Sequence, residues 1–81
     1  MCKQNFHKAN HCIRRLYKKG FDVLSVRLDG RRPRIEIAHQ RKCARLGGVW
    51  FQRRADGAGV IYRYACLLHG CQIEWEERRF V

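Results

Sequence analysis

The chain has 81 residues, with eighteen Lys and Arg against seven Asp and Glu and a formal charge of +11. That length supports a single domain, residues 1–81, and excludes a large core or a deep cleft between domains. The charge draws polyanions at long range and makes their binding salt-sensitive.

Arg outnumbers Lys by 13 to 5. Arg grips phosphate or carboxylate with a planar fork and stacks on rings, so this bias favours specific contacts over a diffuse cationic cloud. A surface charged only for solubility is the plain alternative, but solubility seldom demands charge so one-signed. Residues 1–19 lack the apolar segment of a secretory leader, and apolar runs such as Tyr64 to Leu68 are too short to cross a bilayer. The expected setting is therefore cytoplasmic. The five cysteines, an odd number, are expected to stay reduced and to fill the core.

Lys3 to Lys19 has the spacing of an amphipathic helix. Phe6, Ala9, Ile13, Leu16 and Tyr17 fall on one face, with Cys2 near that stripe if the helix starts early. Gly20 stands where a left-handed cap would end it. A hairpin follows, with Leu24, Val26 and Leu28 alternating with polar residues. Asp29 to Pro33 is turn chemistry, and Ile35 and Ile37 alternate in the return strand. His39 to Gly48 loses periodicity and reads as a loop with one short helical turn around Arg41 to Leu46. Val49 to Arg54, Val60 to Leu68 and Cys71 to Arg78 read as strands, with 55–59 a flexible turn.

His69-Gly70 fits a two-residue hairpin loop. That register pairs Leu68 with Cys71, Cys66 with Ile73, Tyr64 with Trp75, and Arg63 with Glu76. The expected fold is α+β, one N-terminal helix packed on an antiparallel sheet of four or five strands. The expected core is Phe6, Ile13, Leu16, Val26, Ile35, Ile37, Tyr64, Ile73 and Trp75.

Zinc is the first chemistry to weigh, because Cys12, Cys43, Cys66, Cys71, His11, His39 and His69 are candidate ligands. None forms the close knuckle that structural zinc sites use, so no metal is expected. A Cys/His nucleophilic pair could meet only in the fold. No phosphate-cradling Gly loop or paired-carboxylate constellation is present, and a non-enzymatic role without a cofactor follows.

Three basic sets remain. His7, His11, Arg14 and Lys18 form a ridge along the helix at spacings of four, three and four. An ordinary solvated face would look the same. Arg31, Arg32 and Arg34 flank Pro33 at the hairpin tip. Arg41, Lys42 and Arg45 lie in the loop. Trp50, Phe51, Tyr62 and Tyr64 stand beside them, and aromatics between cations can stack bases. Strand aromatics are more often core, so most of these are expected to be buried.

Gly20-Phe21-Asp22-Val23-Leu24-Ser25-Val26, Gly30-Arg31-Arg32-Pro33-Arg34-Ile35-Glu36-Ile37 and His69-Gly70-Cys71-Gln72-Ile73-Glu74-Trp75 together resemble small accessory proteins of temperate enterobacterial phages and prophages. The resemblance rests on strand-turn-strand patterning and transfers no individual site residue. It implies a bacterial host cell, and a setting in phage replication, regulation or the disarming of host defences. The expected activity is binding of DNA or RNA through backbone phosphates, led by Arg14, Lys18, Arg31, Arg32 and Arg34. The alternative is docking on an acidic face of a host nuclease or CRISPR-type defence complex to inhibit it.

Overall fold

The computed structural model describes residues 3–80, with side chains from residue 5 onward; Cys2 lies outside them. The elements run α1 (Lys3–Lys18), β1 (Val23–Arg27), β2 (Arg34–Ile37), a 3-10 helix η1 (Arg41–Leu46), β3 (Val49–Asp56), β4 (Gly59–Leu68) and β5 (Cys71–Phe80). They build an α+β fold, one helix on a five-stranded sheet of order β1-β2-β5-β4-β3. All neighbours are antiparallel except β2 and β5, which run parallel. The chain leaves β2, forms η1, and returns as the β3-β4-β5 meander whose last strand docks on β2.

α1 ends as its sequence demands. Gly20 takes φ +84°, which a residue bearing a Cβ adopts only with strain. The Phe21 N–H then donates to the Leu16 carbonyl and the Gly20 N–H to the Tyr17 carbonyl, both at 2.9 Å. This is the Schellman arrangement, and the Leu16 and Phe21 side chains close it inside the core.

α1 lies over β1, β2 and β5. Its buried stripe is Asn5, Ala9, Cys12 and Leu16. At 100° per residue, that stripe is turned roughly 60° from the expected one of Phe6, Ala9, Ile13, Leu16 and Tyr17, with which it shares Ala9 and Leu16. Two of the buried positions are small, so the helix backbone approaches the sheet closely. Phe6 and Tyr17 are pushed to its flank and stand exposed, which corrects the placement of Phe6 in the core. Buried Asn5 is satisfied by donating to the Gly30 carbonyl at 3.1 Å.

The rest of the core is Phe21, Ile35, Ile37, Cys43, Cys71, Ile73 and Trp75, with Ile13, Val23, Tyr64 and Cys66 packed partly against it. Val26 is corrected as well. It pairs with Ile35 on the helix side, but β1 is an edge strand and leaves it exposed. The expected alternation also fails at Leu24. A bulge makes Leu24 the extra residue, so Val23 rather than Leu24 shares a face with Val26.

The β4-β5 hairpin has the expected register throughout. His69 (φ 51°) and Gly70 (φ 80°) both take positive φ, as a type I′ loop requires. The preceding hairpin turns more tightly than expected, because Asp56 already pairs with Gly59. Near Gly48 the chain crosses directly over Trp75, and a Cβ there would collide with the indole.

Candidate nucleic-acid interface

The helix ridge is built as expected. His7, His11, Arg14 and Lys18 are all exposed. At 100° per residue they lie opposite the buried stripe, so they point straight out from the sheet. α1 contains no acidic residue, and Arg15 and Lys18 occupy its last turn, where cations suit the helix dipole. Arg15 Nε donates to His69 Nε2 at 3.0 Å, and His11 meets the His69 ring edge-on at 5.1 Å. Desolvation, then the charges of Arg15, His11 and Lys19, hold the His69 imidazole below its ordinary value. His69 therefore stays neutral and accepts from Arg15.

The two loop clusters sit at opposite ends of this ridge. The bond from Asn5 to Gly30 fixes the hairpin tip, with exposed Arg31 and Arg32, beside the helix N-terminus. At the other end Lys42 Nζ donates to the Lys19 carbonyl at 2.6 Å and lies 5.1 Å over the Phe21 ring. η1 thus brings Arg41, Lys42 and Arg45 to the helix C-terminus. Lys19, Phe21, Lys42, Arg45 and Leu46 line a shallow cleft there, about 340 Å³ in volume. Residues 5 and 19 are roughly 21 Å apart along the axis, so the ridge joins the two loops into one basic stretch.

Arg34 does not belong to that stretch. It sits on the opposite, uncovered face of the sheet, where Arg34 Nε donates to Glu74 at 2.9 Å. Glu74 also accepts from Arg63 at 2.9 Å and from Gln72 at 2.6 Å. Arg63 continues to Glu76 at 2.8 Å, and Glu76 accepts from Arg54 at 3.1 Å. Arg78 pairs with Asp56 on the same face. Burial pushes the Glu74 carboxyl up, but its bonds from Arg34, Arg63 and Gln72 outweigh that and hold it below the ordinary carboxylate range. Most of the arginines on this face are thus matched by carboxylates, whereas α1 and η1 carry no carboxylate at all.

The aromatics depart from expectation. None of Trp50, Phe51, Tyr62 and Tyr64 is buried, and Trp50 and Phe51 are half exposed. The reason is coverage, since among the described residues α1 packs on β1, β2 and β5 and not comparably on β3. Sequence reasoning also passed over Arg53 and Arg79, whose guanidinium groups face the Tyr62 ring. The run Gln52-Arg53-Arg54 between aromatics carried the signal, because so polar a strand segment does not suit a covered sheet.

No family model matches this sequence, and no curated protein or solved structure matches it significantly. Among the described residues, no three Cys, His, Asp or Glu side chains group as a metal site would require. No described helix is long and apolar enough to cross a membrane.

Proposed function

We propose that this protein binds DNA or RNA through backbone phosphates and carries out no reaction of its own. The observation behind this reading is the segregation of charge. Arginines of the open face are largely tied to Glu74, Glu76 and Asp56. The helix layer, from Arg31 past Arg14 and Lys18 to Arg41 and Arg45, holds cations without carboxylates inside α1 or η1. Such a stretch is costly for a folded protein to concentrate unless counter-charge arrives from outside, and a phosphate backbone supplies that at regular spacing. Arg14, Lys18 and Arg31 are the leading contacts, with His7, His11, Lys42 and Arg45 beside them, whereas Arg32 turns toward Phe51 and Leu67 on the open face. Arg34 stays with Glu74.

Affinity for labelled duplex and single-stranded probes, measured over a salt series, tests the reading. Log affinity should fall linearly with log salt, and each phosphate contact contributes about 0.7 to 0.9 to the slope. Absence of binding at low salt would contradict it.

A second reading has one observation in its favour. Val49, Phe51 and Leu67 are exposed around Arg32 at one edge of the open face, an apolar and cationic combination that suits a protein partner with an acidic rim. In this reading the partner is a host nuclease or defence complex. Capture from bacterial lysate with and without nuclease treatment separates the two. A stoichiometric protein that survives treatment and is lost with Phe51→Ser supports inhibition, and partners that vanish with the nucleic acid support phosphate binding.

A further inference from the structure

The helix side of the sheet is only half covered. α1 lies on β1, β2 and β5, and the chain at Gly48 shields Trp75. Beyond them the sheet continues as the outer part of the β3-β4-β5 meander. Register places Trp50 and Arg53 of β3, Tyr62 of β4 and Arg79 of β5 together on this uncovered half.

Their geometry is ordered. Trp50 stands edge-to-face on Tyr62, with centroids 5.4 Å apart and planes at 75°. The Arg79 guanidinium lies 4.8 Å over the Tyr62 ring, and that of Arg53 lies 6.0 Å from it. Arg79 also donates to the Tyr64 hydroxyl at 2.8 Å. Tyr64 in turn stacks on buried Trp75, with ring centres 5.7 Å apart and planes at 3°. The patch is therefore anchored in the core. One carboxylate lies nearby, Glu77, at 3.7 Å from Arg79.

A half-exposed indole set edge-on against a tyrosine whose ring two guanidinium groups flank is poorly explained as packing. An edge strand that needed only solubility would carry small or charged side chains here. The same set matches what an unpaired nucleobase needs: aromatic faces for stacking, and guanidinium planes that stack on the base or pair with the adjoining phosphate. In a duplex the base faces are already stacked and cannot reach a flat sheet. The net charge of +11 selects a polyanion over a neutral aromatic ligand.

We propose that Trp50, Arg53, Tyr62 and Arg79 form a stacking platform for unpaired bases, so that the protein prefers single-stranded nucleic acid to duplex. This deepens the phosphate-binding reading and rests on it.

The test is fluorescence anisotropy with a labelled oligothymidine and with a duplex of equal length, at one salt concentration. The native protein should bind the single strand more tightly. Trp50→Ala should weaken single-strand binding about 5- to 100-fold, the range expected for losing one stacked base. Duplex affinity should not change. Trp50→Phe keeps a ring, so it should bind near the native level while losing the fluorescence quenching that oligothymidine causes in the native protein. Equal native affinity for both probes would overturn the platform. So would a folded Trp50→Ala protein that binds oligothymidine like the native one, and in that case phosphate binding still stands. Failure to bind either probe at low salt would overturn both readings. Should Trp50→Ala not fold, quenching decides: none at saturating oligothymidine in the native protein refutes the platform.

Discussion

Glu74 is 3% exposed although it lies on a face that no other element covers. Arg34 and Arg63 fold over it and exclude water, so its charge is held by hydrogen bonds rather than by solvation. Removing the carboxylate leaves partly buried Arg63 with Glu76 alone as counter-charge and frees Arg34. Glu74→Ala should cost about 2 kcal/mol, below the range for a fully buried pair because Arg34 can turn to solvent. Glu74→Gln should cost less, since it can still accept hydrogen bonds. Chemical denaturation at neutral pH measures both.

The pH dependence has a definite sign. Glu74 and Glu76 titrate below their ordinary value of 4.5, because the bonds from Arg34, Arg63, Gln72 and Arg54 outweigh desolvation. A depressed carboxyl stabilises the fold above its unfolded-state value, and that stability is lost as pH falls through the folded one. Stability should therefore be flat near neutrality and fall below about pH 4.5, and Glu74→Gln should shrink that fall. Acid titration followed by circular dichroism checks it.

Burial pushes the Cys12 thiol up to about 12, with Cys71 adding to the effect, and burial raises Cys43 and Cys71 as well. These thiols stay protonated and act as small hydrophobes. Peptide mapping after treatment with a water-soluble maleimide should find Cys12, Cys43 and Cys71 unmodified in the folded protein and modified in denaturant. Rapid labelling of Cys12 in the folded state would show that α1 lifts readily from the sheet.

Among the elements, α1 shows how a correct helix can be given a wrong face. The expected stripe of Phe6, Ala9, Ile13, Leu16 and Tyr17 contains the buried Ala9 and Leu16, but hydrophobicity alone centres it on the bulky side rather than toward Cys12. The sheet selects Ala9 and Cys12 because they permit close approach. Leu16→Ala should therefore cost about 3 kcal/mol, whereas Phe6→Ser should change stability little. Thermal unfolding of the two proteins checks the pair, and a large loss from Phe6→Ser would mean the helix is turned the other way.

What could be read in the sequence followed the range of each signal. The His69-Gly70 hairpin was legible to the residue, because turn chemistry and alternation act over neighbours and agree. The Gly20 cap and the turn at Arg41 to Leu46 were legible for the same reason. The Leu24 bulge and the parallel docking of β5 on β2 were not, because both arise from pairing between distant segments. The site divides likewise. The helix ridge is a local pattern and was visible. Arg34 looked like a third member of the hairpin tip, and only its pairing with Glu74, forty positions on, removes it. The exposure of Trp50 depends on where α1 stops across the sheet, which no local pattern encodes.

Over the whole molecule, the layers divide the charge. The open face offsets most of its own charge through Arg34, Glu74, Arg63, Glu76 and Arg54, and through Arg78 with Asp56. The helix layer does not, and the uncovered half of its sheet adds stacking surfaces. A polyanion should therefore approach from the helix side, which gives the two faces different weights in binding. The most direct measurement is the salt dependence of oligonucleotide affinity for the native protein, for Arg14→Gln/Lys18→Gln and for Arg54→Gln. The helix-side pair should lower the slope of log affinity against log salt by about one for each phosphate no longer neutralised. Arg54→Gln, on the open face, should leave the slope unchanged. Equal slopes for all three proteins would show that the helix ridge does not hold the phosphates, and would contradict the account.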